Sequence, residues 1–383
     1  TGTSWIQQLE TGSFDPAEGY ILKGPGAVQN YTFVGTPNDG TITTTINAGF
    51  TSLLGNPYPS ALDANTFFTD NSTVVEALYF WQHLGDDGSH ALGGYQGGYG
   101  VRIASMSTSP TVPSGINGSG GTILSPGRYI PIGQGFFLEA TDTGGTVTFN
   151  NGQRVYQKEI EDGGSDSKFY KGNISNSLPI LKLGFEYKNT ENIELHRQLG
   201  VSFKSGNTFK HDSGYDSKVY DLDISDAYFK FENNRENLTI AGIQELTDDL
   251  EFPLAVKVGI SGDFKFMVDS KENINRKVYL TDKVTNTKYN LENKITISLT
   301  QGIYEDRFYI SFSSTTLGLD DEILKQNVSV FFNNTTKEIQ ISKKTDIIIQ
   351  SVELYNIIGQ KVKNWKKLNQ NLKEITLPIN SVS

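Results

Sequence analysis

Short runs in which apolar and polar residues alternate are the feature that most constrains this chain. In residues 293–300, Ile295, Ile297 and Leu299 occupy every second position, and residues 306–312 repeat this pattern. Because successive side chains of a strand point to opposite faces, a period of two predicts half-buried strands. The sequence contains no run with the 3.6-residue period of a long helix. The chain is therefore predicted to be all-β.

Segments rich in turn residues separate these runs. The 383 residues include 39 glycines, and 11% are aromatic. This composition favours many short strands joined by tight turns. Residues 261–264 and 285–288 are predicted to be hairpin turns. The predicted fold class is all-β, with tandem antiparallel β-sandwiches of jelly-roll or immunoglobulin-like type and one or two short helices.

Two segments without periodicity divide the chain. Residues 159–168 are acidic and rich in Gly and Ser, and residues 314–327 lie between two strand patterns, so both are predicted to be linkers. The predicted domains are a β-sandwich over 1–160, a second over 168–315 and an immunoglobulin-like domain over 327–383. The chain opens as if inside a domain and stops on an apparent loop. The first domain is therefore expected to be incomplete at its N-terminus and the third at its C-terminus.

Composition and charge exclude several classes of function. The chain has no cysteine, which excludes disulfides and thiolate metal sites. No run of about 18 apolar residues occurs, so the sequence predicts no membrane-spanning helix. The net charge is −10, and an acidic body argues against nucleic-acid binding. Residues 327–383 differ from the rest because they carry 8 lysines and 4 acidic side chains, and a solvated lysine-rich surface is the simplest interpretation.

Motifs of common catalytic chemistry are missing from the sequence. It has no phosphate-binding loop, dinucleotide fingerprint, zinc-protease motif or nucleophile elbow. A metal at His83 and His90 and a calcium ion at Asp212 and Asp216 remain open, although an exposed loop and tight turns are the favoured interpretations of these residues. A carboxylate pair for glycoside hydrolysis in residues 247–252 also remains open. No catalytic residue, metal or cofactor is predicted, and the chain is expected not to be an enzyme.

Aromatic residues are the better candidates for a ligand surface. A sugar-stacking platform is one interpretation of these five residues: Trp5, Tyr58, Trp81, Tyr95 and Tyr99. The alternative is that residues 79–81 form a core strand, with Phe80 on the face opposite Tyr79 and Trp81. The core position is the favoured interpretation for Trp81.

The stretch LLGNPYPSALDANTFFTDN, residues 53–71, looks like a catalytic loop but predicts a structural corner. Each proline disfavours helix at the residue before it, so a strand ending at Leu54 should be followed by a rigid turn. Ser60 with Asp63 three residues later predicts a capped short helix. This helix should place Leu62 and a phenylalanine on the sandwich.

These motifs also carry a resemblance to a known group. The runs LLGNPYPSALDANTFF, YFWQH, IPIGQGFFLEA and TVTFNNGQRV, and later RQLGVSF, DSGYDSK and FPLAVKVGISGDFKF, occur in this order. They resemble large exported proteins of flavobacteria and related Bacteroidetes. The run IIIQSVELYNIIGQKV, residues 347–362, resembles the C-terminal sorting domain of the type IX secretion system. That family usually continues with a Gly-x-Tyr strand and a short basic end, and this chain stops before them.

The resemblance implies that the chain carries a secretion signal and serves as a non-catalytic region of an exported protein. Such proteins cross the outer membrane through the type IX translocon, are met by its shuttle barrel, and reach the cell surface or the medium. The chain is accordingly expected to be the non-catalytic C-terminal region of a secreted adhesin or gliding-motility surface protein, with surface glycans or other adhesins as further candidate partners and no nucleic-acid partner. The expected sorting-signal hairpin contains Val352, Leu354, Tyr355, Asn356, Gly359, Gln360 and Val362. The alternative is a set of carbohydrate-binding β-sandwich modules attached to a secreted polysaccharide-degrading enzyme.

Overall fold

The chain divides into two compact units, Thr1–Ser314 and Thr315–Ser383. A computed structural model describes residues 15–21, 34–84, 96–114, 125–156, 178–232, 234, 236–314, 328–333, 336–343, 348–356, 360–366, 368–369 and 372–379. The residue ranges predicted as separate sandwiches, 1–160 and 168–315, both belong to the first unit. The predicted linker over 159–168 lies outside the described residues.

The first part of this unit is a sandwich of short strands. Its strands are β1 Ile42–Ile46, β2 Thr51–Gly55, β3 Ala61–Asp63, β4 Val75–Leu84, β5 Gln96–Arg102, β6 Ser107–Thr108, β7 Val112–Pro113, β8 Tyr129–Ile130, β9 Gly135–Ala140, β10 Gly145–Phe149 and β11 Arg154–Val155. One sheet has the order β2-β9-β4-β5-β6. Two small sheets, β1-β10 and β11-β3-β8, add side chains to the same buried apolar cluster as the five-stranded sheet.

One short helix, α1 Ala64–Asp70, closes the core of this first sandwich. Phe67 and Phe68 on the helix are buried, and the Phe67 ring contacts Phe136 of β9 and Phe149 of β10. Burying a phenylalanine contributes about 1.5–3 kcal/mol, so these rings fix the helix on the sheet. A 3-10 turn, Asn151–Gln153, is the other helical element described.

The helix cap differs from the predicted one. Asp63 is the N-cap residue, and its carboxylate accepts a hydrogen bond from the backbone N–H of Asn65 at 3.0 Å. Ser60 precedes β3, and Leu62 lies in β3 rather than in the helix. The prediction of Ser60 as N-cap was wrong because a three-residue strand separates the proline corner from the helix.

The corner itself is organised by the buried amide of Asn56. Its Nδ2 donates to the backbone carbonyls of Ser60 at 2.8 Å, Pro131 at 3.0 Å and Ile130 at 3.3 Å. Its Oδ1 accepts from the Tyr58 N–H at 3.1 Å. One side chain thus satisfies backbone groups that the prolines leave outside regular pairing.

The second part of the unit is a larger sandwich. Its strands are β12 Ile180–Lys188, β13 Glu194–Phe203, β14 Ser217–Lys218, β15 Asp226–Tyr228, β16 Leu238–Ile243, β17 Glu251–Val258, β18 Gly262–Glu272, β19 Arg276–Asp282, β20 Thr287–Asn290, β21 Ile295–Leu299 and β22 Gly302–Ser314. One sheet has the order β14-β16-β13-β12-β18-β21, and the other β15-β17-β22-β19-β20. The described pairs of these sheets are antiparallel except β13 with β16, which is parallel.

The alternation seen in the sequence faces the core between these two sheets. Ile297 and Leu299 of β21 and Phe308, Ile310 and Phe312 of β22 are buried in one continuous apolar cluster. The hairpin predicted at 285–288 joins β19 to β20, with Asn286 at φ 52°. The hairpin predicted at 261–264 was wrong, because β17 and β18 belong to different sheets and the chain crosses between them there.

The two sandwiches of the first unit pack on each other. A shared apolar cluster joins Tyr79 of β4 and Met106 to Ile180 of β12 and Ile240 of β16. Strand β7 also pairs with β13 of the second sandwich. Gly200 of β13 makes the approach possible, since a Cβ there would lie 2.3 Å from the Met106 Cε.

The second unit contains five described strands, which are β23 Val328–Asn333, β24 Glu338–Lys343, β25 Ser351–Tyr355, β26 Lys361–Lys366 and β27 Glu374–Pro378. They form a sheet of order β23-β24-β27 and the hairpin β25-β26. Ile339, Ile341, Ile375 and Leu377 form a small buried core. The all-β prediction, with short helices and sandwich architecture, is confirmed. In the part of the chain that the structure describes, no helix has the length and apolar character needed to cross a membrane.

Candidate functional site

An open groove of about 390 Å³ lies where the two sandwiches of the first unit meet. Gly97 of β5 and Thr111 beside β7 line it from the first sandwich. The second sandwich contributes Tyr187 of β12, Arg197 of β13 and the segment 221–223. The groove therefore depends on both sandwiches being packed together.

Arg197 forms the charged floor of the groove. Its Nε and one terminal nitrogen donate to the two carboxylate oxygens of Asp226 at 2.8 and 2.7 Å, a bidentate pair. Its other terminal nitrogen donates to the Asp221 carboxylate at 2.9 Å. Burial alone would lower the pKa of Arg197, but the Asp226 and Asp221 carboxylates hold that pKa well above its usual value. The guanidinium is therefore charged and its charge is compensated.

Tyr187 and Asp223 form one wall of the groove. The Tyr187 hydroxyl donates to the Asp223 carboxylate at 2.7 Å. Burial raises the pKa of Tyr187, and the Asp226 carboxylate raises it further, so the hydroxyl keeps its proton. The other Asp223 oxygen accepts from the Ile224 N–H at 2.6 Å. Both Asp223 oxygens are thus fixed in direction by neighbouring donors, and each keeps further acceptor capacity.

Trp81 is not part of the groove lining itself, but its ring lies against Gly97, which is. Trp81 of β4 pairs in register with Tyr99 of β5, and their rings contact edge to face at 5.0 Å. A Cβ on Gly97 would lie 2.6 Å from the indole Cζ2, so only glycine lets the ring lie against the strand there. The Trp81 side chain remains 42% exposed. A flat apolar surface therefore adjoins the polar groove.

The aromatic candidates have different outcomes. Phe80 lies in the core of the first sandwich and Tyr79 in the shared cluster, which confirms that they occupy opposite faces. The core interpretation of Trp81 was wrong, since the Trp81 side chain is among the exposed large apolar residues. Tyr58 is 2% exposed, and its hydroxyl donates to the Gly40 carbonyl at 2.6 Å, so it is a structural residue. Trp5 and Tyr95 lie outside the described residues.

The loop around Asp212 and Asp216 is held by its own turns. The Asp216 carboxylate accepts from the backbone N–H groups of Gly242 at 2.8 Å and Asp212 at 2.9 Å. Burial raises the pKa of Asp216 to about 7. The Asp212 carboxylate accepts from the Thr208 N–H at 2.7 Å. These contacts give both aspartates a structural role, as the turn interpretation predicts.

Metal binding finds no geometric support where the structure can be described. Among the described residues, no group of three or more His, Asp or Glu is arranged to hold a metal ion. His83 is placed in β4 without a described side chain, and His90 lies outside the described residues. The metal site suggested by this pair therefore stays untested by geometry.

The predicted sorting-signal residues lie on the hairpin β25-β26 of the second unit. Val352 pairs with Trp365, and both pack with Leu354 against the small core. Asn356 and Gln360 close the hairpin, since the Asn356 N–H donates to the Gln360 carbonyl at 2.9 Å. Val362 is half-buried, and Gly359 lies outside the described residues.

The outer face of this hairpin carries a connected polar group. The Tyr355 hydroxyl donates to the Glu353 carboxylate at 2.5 Å, and Lys361 pairs with the same carboxylate at 2.7 Å. Asn364 also donates to Glu353, at 2.9 Å. Tyr355 is 51% exposed. The face therefore presents an aromatic ring and a lysine in a fixed arrangement, which we call the outer hairpin face.

Sequence reasoning missed most of the groove. Arg197 sits inside the run ELHRQLGVSF, where a charged residue interrupts a buried strand. Such an interruption indicates a buried ion pair, because an uncompensated charge would be too costly. Its partners Asp221 and Asp226 are 24 and 29 residues away, and sequence alone does not identify them.

The first unit of the chain is thus all-β and consists of two packed sandwiches with an open groove between them. The model of a family described as a domain of unknown function (DUF8693) matches residues 2–312, and the chain belongs to that family. The matched range covers both sandwiches and the groove between them. Neither the curated proteins nor the solved structures contain a match to the chain.

Proposed function

We propose that this chain is a non-catalytic region of an exported cell-surface protein, and that the hairpin β25-β26 addresses it to the type IX secretion system. The observation that supports this most is the outer hairpin face, formed by Glu353, Tyr355, Lys361 and Asn364. It belongs to the same hairpin as the sequence run that resembles the sorting domain. The partners would be the outer-membrane translocon and its shuttle barrel.

The build of the hairpin suits a recognition surface. Val352, Leu354 and Trp365 anchor one face to the core of the second unit. The other face keeps its aromatic and charged groups in place through the hydrogen bonds to Glu353. A surface that is already ordered loses little conformational entropy when a partner binds. Lysines at 361, 363 and 366 add a positive charge that favours an acidic partner surface.

The proposed secretion signal determines the expected cellular location of the protein. The protein would be secreted across the outer membrane and displayed on the cell surface or released to the medium, where an adhesin or gliding-associated surface protein acts. The chain itself would not be an enzyme, and any catalytic part would lie in another region of the full protein.

Export of a truncated protein tests the proposal. Deleting residues 327–383 and any residues that follow them from the full-length protein, in the bacterium that makes it, should leave the protein in the periplasm. Cell fractionation and surface labelling would show the change. Normal surface display of the deletion would contradict the proposal.

Point variants test the outer hairpin face without removing the unit. Tyr355→Ala with Lys361→Ala should reduce surface display while the fold of the second unit is retained. Lys283→Ala is a matched control, since Lys283 pairs with Glu251 at 2.8 Å and lies over the Tyr309 ring at 4.8 Å in the first unit. Equal loss of display in the control would indicate a general folding defect instead of lost recognition.

A second function, carbohydrate binding by the first unit, is favoured by a separate observation. Trp81 is a large exposed aromatic side chain at the border of a groove with fixed polar groups. Such an arrangement is typical of small-ligand sites. Screening the first unit on a glycan array tests this function, and loss of binding in Trp81→Ala would support it. An array without any bound glycan would overturn it.

A further inference from the structure

We infer that the groove between the two sandwiches binds a neutral, hydroxyl-rich glycan chain and rejects glycans that carry carboxylate or sulfate groups. This inference rests on the carbohydrate-binding function proposed above and names its ligand class. Three features of the groove support it: an apolar border, acceptors held in fixed directions, and a cation that is already neutralised.

The apolar border suits the C–H face of a sugar ring. Trp81 lies against Gly97 at one side of the groove, and Leu222 in the lining is 44% exposed. Indole and leucine surfaces gain free energy when they are covered by another apolar surface. A pyranose ring offers such a surface on one face and hydroxyl groups at its edge, so it can use border and groove together.

The acceptors in the groove suit hydroxyl donors. Asp223 is oriented by the Tyr187 hydroxyl and the Ile224 N–H, and Asp221 is oriented by Arg197. A carboxylate oxygen has capacity for more than one hydrogen bond, so each can accept a further O–H. Asn189 adds an amide whose oxygen holds its own turn by accepting from Ile193 N–H at 2.9 Å. These groups would bind sugar hydroxyls without rearrangement.

The charges in the groove disfavour anions. The lining contains the carboxylates of Glu191, Asp221 and Asp223, and its cation among the described residues is Arg197. Arg197 is compensated by hydrogen-bonded ion pairs with both Asp226 and Asp221. A uronate or sulfate entering the groove would meet three carboxylates and lose its hydration without gaining a free cation.

A cationic peptide is the competing ligand for an acidic groove. It is less suited because Arg197 already compensates Asp221, so Asp223 and Glu191 are the carboxylates of the described lining whose charge Arg197 does not offset. A lysine or arginine would also leave the Trp81 surface to be covered by a second group. Binding of a cationic peptide instead of a glycan is therefore an outcome that would overturn the inference.

Matched glycan pairs test the ligand class with the intact chain. Mannan is compared with mannuronan, and agarose oligomers with carrageenan oligomers, by isothermal titration. The neutral member of at least one pair should bind, and its acidic counterpart should bind at least tenfold more weakly. Trp81→Ala should weaken neutral binding about tenfold or more, as expected for a tryptophan that anchors a ligand. Trp81→Phe should weaken it less.

Charge variants separate this inference from carbohydrate binding in general. Glu191→Gln with Asp223→Asn should improve binding of the acidic counterpart, while the asparagine still accepts from Tyr187. Tyr156→Ala is a control, since Tyr156 is an exposed aromatic residue outside the groove lining. Equal binding of neutral and acidic glycans would overturn the inference and leave carbohydrate binding intact. Failure of every glycan, or a tryptophan variant that binds as the parent does, would overturn the groove assignment itself.

Discussion

Replacement of Arg197 by methionine should cost the first unit about 3–5 kcal/mol in free energy of unfolding, the usual result of breaking a buried ion pair from one side. The Arg197 side chain is 3% exposed and that of Asp226 is 0% exposed. Methionine fills much of the same volume but leaves the Asp226 carboxylate with backbone donors only, from Asp223 and Ala227. The main cost is therefore an uncompensated buried charge and not an empty cavity.

A second substitution distinguishes the charge from the packing. Arg197→Met combined with Asp226→Asn removes both charges, and the asparagine oxygen still accepts from one of the two backbone donors, Asp223 or Ala227. The double variant should therefore recover a large part of the lost stability, and the two single effects should not add. Asp226→Asn alone should cost less than Arg197→Met, because Asp221 still compensates the guanidinium.

Urea unfolding followed by tryptophan fluorescence measures these differences, with the slope of free energy against urea checked for each variant. Arg276→Met is the control, since Arg276 pairs with Asp248 at 2.6 Å where both side chains are partly exposed. It should change stability by less than about 1 kcal/mol. A loss below about 1 kcal/mol for Arg197→Met, or additive effects in the double variant, would refute the reasoning.

Three further perturbations test other parts of the fold. The hydrogen bond to Glu76 raises the pKa of His211 to about 9 from 6.5, so its stabilising charge is complete below pH 6.5 and lost as pH rises through 9. Between pH 6 and pH 10 the free energy of unfolding, measured by urea, should thus fall more for the parent than for His211→Gln. The difference should be less than about 1 kcal/mol because the ring is half exposed. Asn56→Ala should lower the free energy of unfolding by about 2 kcal/mol or more, because buried carbonyls lose their donor, and unchanged urea midpoints would contradict this. Gly200→Val should cost about 1–3 kcal/mol by overpacking against Met106, and Met106→Ala in the same chain should relieve part of that cost in thermal unfolding.

Local sequence patterns predicted the strands, because a strand that is buried on one face has apolar residues at alternate positions. Residues 295–299 and 308–312 carried this signal, and the structure buries the expected side chains. The Ser60 cap failed because a capping motif describes only four residues, here Ser60 to Asp63, and the last three of them form β3 before the helix begins. Residues 261–264 failed because a Gly-Asp turn looks the same whether the next strand returns beside the previous one or crosses to a second sheet.

The groove could not be predicted in the same way. Its walls come from residues near 97, 187 and 221, which meet only when two sandwiches pack together. Trp81 was misplaced because its neighbours Tyr79 and Phe80 are buried, and the local sequence does not show that burial stops before Trp81. The anchored face of the hairpin β25-β26 was easier, since its alternation is local and its pairing partner lies within 15 residues.

The pairing of β7 with β13 limits how the gene for this protein can be rearranged during evolution. A gene rearrangement could join only the part before β12 to a new partner. The new protein would then contain β7 without its pairing strand β13, and the sheet that contains β13 would expose its apolar outer face. Both fragments would expose surface that associates with other chains. The two sandwiches should therefore pass between proteins as a single module, which agrees with one family covering residues 2–312. Gene shuffling would be tolerated at the edges of that module and selected against inside it.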